Sequence, residues 1–249
     1  MDPVSLHKNE YIMSTNSTKI SFILPCLNEE KGLRLVIPEI VFIAGKNNLN
    51  YEIVLADNNS TDDSINTAIS LAKNLNIESR LNIVTEKIQG YGSVYRTGFN
   101  NAKGDIFIMA DSDGTYDFNN INNFLKKIDE GYDMVIGNRF SGKMEKKSMP
   151  FVNRYIGNPI LSGLVRVIFG IKIKDIHSGM RCIKRDTYHK LNLKTNGMEF
   201  ASEMIIRAAK NKIKITEVDI NYRLRSGNSK LKKIRDGLRH LKFIFSNIV

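Results

Sequence analysis

Residues 107–118, FIMADSDGTYDF, place two carboxylates one residue apart at the end of an apolar run. Asp111 and Asp113 in that setting repel each other: two unit charges ~4 Å apart cost about 4 kcal/mol at an effective dielectric near 20. A hard divalent cation offsets such a cost. Carboxylate oxygens suit Mg2+ or Mn2+, which keep waters and take one or two carboxylates plus substrate phosphates. Histidine is scarce, and the two cysteines, Cys26 and Cys182, stand in no metal-ligand spacing. Zinc is therefore disfavoured, and buried reduced thiols are the reading for the cysteines. Acids follow other apolar runs too: Asn28-Glu29-Glu30, Asp57-Asn58-Asn59 and Glu86. Asp and Asn are also good turn and helix-capping residues, so capping competes with ligand binding at each of them.

The elements that must carry these acids alternate in type. KISFILP (19–25), YEIVLA (51–56), LNIVT (81–85), DIFIMA (105–110) and YDMVIGNR (132–139) read as strands. Helical patterns lie between them at 30–46, interrupted by Pro38, at 60–76, with Ser60 or Thr61 suited to the N-cap, at 92–104 and at 119–131. Unbroken Val, Ile and Leu runs alternating with helices predict a parallel sheet covered on both faces, with ligands bound outside the carboxyl ends of the strands. The acids fall on that edge. The second half predicts helices over 150–170, 197–212 and 229–245 and a strand over 213–223. Gly90-Tyr91-Gly92-Ser93-Val94-Tyr95 opens a helix after a strand, but Tyr95 stands at the third glycine position, so the dinucleotide fingerprint fails. A backbone approach to a ligand and a plain helix-entry turn both remain open there.

The chain has 249 residues, 42% hydrophobic and 25% charged, with a formal net charge of +11. That balance points to an anionic partner: nucleic acid, a membrane surface or phosphorylated small molecules. Residues 1–18 lack the apolar core of a secretory signal and read as a flexible tail. No apolar run of the ~18 residues a bilayer span needs occurs; ILSGLVRVIFGI is short and broken by Arg166. No linker separates the halves, so residues 19–249 read as one domain, divided into 19–140, 141–230 and a basic amphipathic helix at 231–249.

Pro25-Cys26-Leu27-Asn28-Glu29, Asp57 and Asp111-Ser112-Asp113 resemble the nucleotide-sugar half of inverting family 2 glycosyltransferases. GNRF (137–140), RYIGN (154–158), DIHSGMR (175–181), GMEFASEM (197–204) and RSGNSKL (225–231) narrow the resemblance to the polyprenyl-phosphate glycosyltransferases, relatives of dolichol-phosphate mannose synthase. The resemblance implies a GT-A fold, an α/β architecture with a Rossmann-like, mostly parallel sheet flanked by helices. It implies Mg2+ or Mn2+ and transfer from a nucleotide-sugar, UDP- or GDP-linked, to a polyprenyl or dolichyl phosphate. It assigns Pro25, Leu27, Glu29, Asp57, Asp111 and Arg139 to the donor, and Asp113 and Thr115 to the metal. Arg139, Arg154, Asn158, Arg225, Ser229 and Lys230 fall to the acceptor phosphate, and Asp175 to an orienting role beside Asp111 and Asp113 in catalysis. Leu27 stands where relatives often carry Tyr, and Asn158 where Ser is frequent.

The last helix segregates Leu231, Ile234, Leu238, Leu241 and Phe245 from Lys232, Lys233, Arg235, Arg239 and Lys242. Such a helix lies in a membrane interface or packs on the core. With the acceptor lipid, it implies a peripheral protein on the cytoplasmic face of a membrane, with a membrane-anchoring subunit or a second copy of the chain compatible as partner. Two other functions compete. A family 2 enzyme acting on a saccharide hydroxyl needs a carboxylate base, with Glu199 or Asp175 as candidate. A nucleic-acid binder accounts for the charge but needs no acidic rim and lacks a recognised module, so no nucleic-acid partner is expected.

Overall fold

The run KISFILPC forms the central strand β1 (Lys19–Cys26), and the sheet grows on both sides of it. In the computed structural model, which describes residues 18–227 and 233–248, β1 pairs in parallel with β2 (Asn50–Asp57) and β4 (Ile106–Met109). Strand β3 (Leu81–Thr85) extends the sheet beyond β2, again in parallel. On the other side, β6 (Arg181–Lys184) enters antiparallel between β4 and β5 (Met134–Asn138), and β7 (Ile215–Asp219) closes the edge parallel to β5. The order is β3-β2-β1-β4-β6-β5-β7, the mostly parallel helix-flanked sheet expected of a GT-A fold.

The middles of β1, β2, β4 and β5 are largely apolar because helices cover both faces. Helices α1 (Glu30–Lys46), α2 (Ser64–Asn74) and α4 (Ile121–Asp129) bury Phe22, Leu24, Ile53, Leu55, Ile108 and Val135. The alternate residues Ile23, Val54, Phe107, Met109, Met134 and Ile136 face α3 (Tyr91–Asn101), α5 (Asn158–Phe169), α6 (Arg185–Leu191), α7 (Phe200–Lys210) and α8 (Lys233–Ser246).

Three expectations change. Helix α1 runs through Pro38 without a break. Helix α2 starts at Ser64, after Asp63, so Ser60 and Thr61 are not its cap. Strand β6 and helix α6 have no counterpart in the pattern of the sequence. The tail at 1–17, and Ser229, Lys230, Leu231 and Lys232, lie outside the described residues, as do the side chains of Lys233, Ile234 and Arg235. Among the described residues no helix is long and apolar enough to cross a membrane.

Candidate active site

The turn after β4 is held in place from three sides. Ser112 donates its hydroxyl to the Pro25 carbonyl at 2.7 Å, tying the ends of β4 and β1 together. Helix α1 starts against the same turn: a Cβ on Gly32 would sit 1.9 Å from the Ser112 carbonyl oxygen, so only glycine allows that approach. Gly114 then turns the chain at φ +79°, a left-handed conformation that favours glycine. From β7, the strap 222–226 crosses the turn. Arg223 donates its N–H to the Thr115 carbonyl (2.8 Å), and Ser226 donates its N–H (3.0 Å) and hydroxyl (2.7 Å) to the Asp113 carbonyl.

The two carboxylates face different surroundings. Asp113 Oδ1 accepts the Thr115 N–H at 3.0 Å and hydroxyl at 2.6 Å, and its Oδ2 pairs with Arg225 at 3.1 Å. The other arm of the Arg225 fork reaches Glu29 Oε1 at 2.7 Å. Arg225 therefore counters the crowded negative charge of the rim. Asp111 Oδ1 instead accepts the hydroxyls of Tyr91 and Tyr95, each at 3.2 Å. Burial, then the Asp113 carboxylate, pushes the Asp111 carboxyl up to about 6, against the pull of Arg225 and the two hydroxyls. Gly179 packs on this group, where a Cβ would meet Asp111 Oδ2 at 2.8 Å, and its N–H reaches the Tyr116 hydroxyl at 2.6 Å.

On the β1–β2 side, Cys26 at the end of β1 is in register with Asp57 at the end of β2, with Pro25 just before it and Leu27 and Glu29 just after it. Asp57 is buried and accepts the Ser60 N–H at 3.2 Å, while Ser60 and Thr61 close the turn against Asn28. Asn58 holds the next loop: it donates to the Glu86 and Ile88 carbonyls (2.7 and 3.0 Å) and accepts from Gly90 N–H (2.9 Å). At Gly90 and Gly92 the missing Cβ atoms make room for the Asn196 and Thr195 carbonyls, 2.1 and 2.2 Å from where they would stand. The glycines thus serve chain-to-chain packing.

On the β5–β6 side, Arg139 and Asp175 are brought together. Asp175 is fully buried and accepts Arg139 Nε (2.7 Å), Nη2 (2.8 Å) and backbone N–H (3.1 Å). The Arg139 guanidinium lies 5.3 Å from the Tyr222 ring. Arg181, also fully buried, donates to the carbonyls of Ile176, Ser178 and Ala201, fixing the DIHSGMR loop to α7. His177 of that loop and His240 of α8 meet at Ser202, 3.3 and 2.7 Å from its hydroxyl. Arg154 sits in a π-helical turn (Asn153–Gly157), 5.2 Å from the Tyr155 ring, and Asn158 opens α5. Glu203 accepts the N–H groups of Lys194 and Thr195 at 2.9–3.1 Å and braces that loop, while Glu199 lies 3.7 Å from Arg239.

A family model described as Glycosyl transferase family 2 matches residues 21–191. The chain belongs to that family. A low-salt glycan biosynthesis hexosyltransferase of Haloferax volcanii is 33% identical over 96% of the chain and 57% of its own length. A dolichol-phosphate mannosyltransferase of Pyrococcus furiosus is 30% identical over 90% of the chain and 62% of its length. The chain thus spans about three fifths of these two relatives. The kinship expected from the later motifs is found. Among solved structures, a glucosyl-3-phosphoglycerate synthase from Mycobacterium tuberculosis with Mn2+, UDP and glucosyl-3-phosphoglycerate superposes with a TM-score of 0.70 at 19% identity, covering 93% of this chain and 80% of that one. The same enzyme with Mg2+ and UDP also gives 0.70. At that identity the likeness shows the fold.

The donor set of this family 2 glycosyltransferase fits a hard cation. Asp111 and Asp113 bring two carboxylates to one turn, and a guanidinium is drawn onto Asp113 and Glu29. Among the described residues no group of three or more His, Cys, Asp and Glu could enclose an ion. A site that supplies only part of a shell suits Mg2+ or Mn2+, which take waters and phosphate oxygens for the rest. Thr115, expected as a ligand, braces Asp113 through its hydroxyl.

Proposed function

We propose that this family 2 enzyme is a metal-dependent, inverting hexosyltransferase. It moves a sugar from a UDP- or GDP-linked donor to a polyprenyl or dolichyl phosphate at a membrane surface. The carrying observation is the Asp111–Asp113 turn, braced by Ser112, Thr115 and Gly32 at the carboxyl edge of the sheet and countered by Arg225. The acceptor class is supported by relatives named for dolichol phosphate, including a dolichyl-phosphate hexose transferase of Haloferax volcanii, 31% identical over 62% of the chain.

Asp113, with Asp111 beside it, would hold Mg2+ or Mn2+. Such an ion, when bound, neutralises diphosphate charge and acts as a Lewis acid. Pro25, Leu27, Glu29 and Asp57 line the edge where base and ribose would lie. The strap carrying Arg225 sets a cation beside the donor phosphates, and Arg154 offers one to the acceptor. A phosphate monoester with its second pKa near ~6 is largely ionised at neutral pH and needs little help from a base. Asp175, buried and spanned by Arg139, is placed to hold the site rather than to take a proton. Orienting two anions in line supplies the rate through proximity and fixed charge.

The membrane reading draws on an apolar strip: Phe151, Val152, Tyr155, Ile156 and Ile160 are all exposed, as are Leu238 and Phe245 of α8. Helix α8 also packs on the core through His240 and Ile244. Labelled UDP- and GDP-hexoses, offered with Mn2+ and a polyprenyl phosphate in detergent, test the proposal. Transfer by the wild type and its loss in Asp113→Asn, with an unchanged melting temperature, is the expected result. Equal transfer by a folded Asp113→Asn would refute the metal assignment, and transfer only to saccharide hydroxyls would refute the acceptor.

A further inference from the structure

We infer that Arg225 makes the site select a metal–nucleotide complex over free metal, by occupying Asp113 until a diphosphate draws it away. This rests on the reading of Asp113 as metal ligand and adds an order of events to it. One planar fork spans two acids: Arg225 Nη1 stands 3.1 Å from Asp113 Oδ2, and Nη2 stands 2.7 Å from Glu29 Oε1. A cation approaching Asp113 therefore meets a carboxylate that already has a charge-assisted partner. Free Mg2+ or Mn2+ must displace that partner and leave a guanidinium beside a dication. A metal that arrives with a diphosphate brings negative charge on which the guanidinium can settle, and Arg is the side chain whose fork matches phosphate geometry.

The strap makes this exchange short-ranged. Its backbone is stitched to the acid turn by Arg223 N–H on Thr115 and by Ser226 N–H and hydroxyl on Asp113. None of these bonds involves the Arg225 side chain, so the guanidinium can leave Asp113 while the strap stays docked. Arg223 is held elsewhere, by Glu39 at 2.8 Å and Asp117 at 2.7 Å. Of these two strap arginines, Arg225 is the one set to move with the ligand, and the other anchors the strap.

The test is a Mn2+ titration followed by the electron paramagnetic resonance of the free ion, with and without UDP or GDP. Arg225→Gln is expected to bind nucleotide-free Mn2+ roughly tenfold to a hundredfold more tightly than the wild type, the range spanned by a charge-assisted hydrogen bond. The enhancement of Mn2+ affinity by nucleoside diphosphate is expected to shrink in the same variant. Arg225→Lys, which keeps the charge and loses the fork, falls between. Arg223→Gln removes one positive charge from the same strap and leaves nucleotide-free affinity within about twofold. Equal Mn2+ binding by wild type and Arg225→Gln would overturn the inference, and so would an equal gain in Arg223→Gln, which would reduce the effect to net charge. If neither nucleotide promotes Mn2+ binding in the wild type and Asp113→Asn changes nothing, it is the metal site itself that fails.

Discussion

Replacing Asp175 by Asn separates a scaffold acid from a chemical one. Asp175 is fully buried and takes three hydrogen bonds from Arg139, at 2.7, 2.8 and 3.1 Å. The substitution keeps the shape and removes the charge, leaving the guanidinium buried against a neutral amide. Removing one partner of a buried pair costs about 3–5 kcal/mol. In a chain of this size each kcal/mol lowers Tm by roughly 2–4 °C, so a fall of roughly 6–20 °C is expected in calorimetry. Adding Arg139→Met removes the stranded charge, while the oxygen of the introduced amide still accepts the backbone N–H that Arg139 supplied, so the double variant recovers part of the loss. Nucleotide binding, measured well below both transitions, stays within a few-fold. If Asp175→Asn melted within about 2 °C of the wild type while transfer collapsed, the carboxylate would be acting on the reactants and the scaffold assignment would be wrong.

Gly32→Ala forces a methyl against the Ser112 carbonyl, 1.9 Å from the ideal Cβ; urea melts should show a loss of about 1–3 kcal/mol, and calorimetry a weaker metal-dependent affinity for UDP or GDP. Asn58→Ala strips the three bonds that hold residues 86–90 to the end of β2, so hydrogen exchange there should quicken and stability fall by about 1–3 kcal/mol. His177 is held well below its usual 6.5, first by burial and then by His240, Arg139 and Arg181. The unfolded chain therefore takes up a proton below pH 6.5 that the folded chain refuses, and stability contributed above that pH is lost as pH falls toward the lower folded value. Melting curves between pH 7.5 and 5 should show a smaller loss in His177→Gln than in the wild type.

Strands β1 to β5 are legible in the sequence because each is a mainly apolar run next to a turn or a helix pattern, and β7 because ITEVD alternates. Strand β6 is not: it has four residues, begins with Arg181 and ends with Lys184. Its pairing depends on β4 and β5, which no local pattern encodes. Pro38 suggests a break, but α1 buries Val36, Ile37 and Ile40 around it, and that packing outweighs the lost hydrogen bond. The acids of the rim are visible as residues following strands. Their partners are not. Asp113 meets Arg225, and Arg139 meets Asp175, across long stretches of chain, and the expected phosphate roles of both arginines carry no hint of these pairings. Tyr91 and Tyr95, four apart on one face of α3, are a missed contact with a local signal, since that spacing aims both at a common neighbour.

The antiparallel insertion of β6 has a consequence for how such a chain can vary. Strand β5 ends at Asn138 and β6 starts at Arg181, with Ile136 and Arg181 in register and the Gly137 N–H bonded to the Met180 carbonyl. Everything between, including the π-helical turn with Arg154 and all of α5, is an excursion that departs and returns at neighbouring points. Loop closure grows only slowly with length, each doubling costing about 0.6 kcal/mol, so the excursion behaves as a cassette. Away from Arg139, Asp175 and Gly179, its length can change without shifting the strands that lead to Asp57, Asp111 and Asp113. The edge built from β1, β2 and β4 can thus be kept while the outer part of one insert varies.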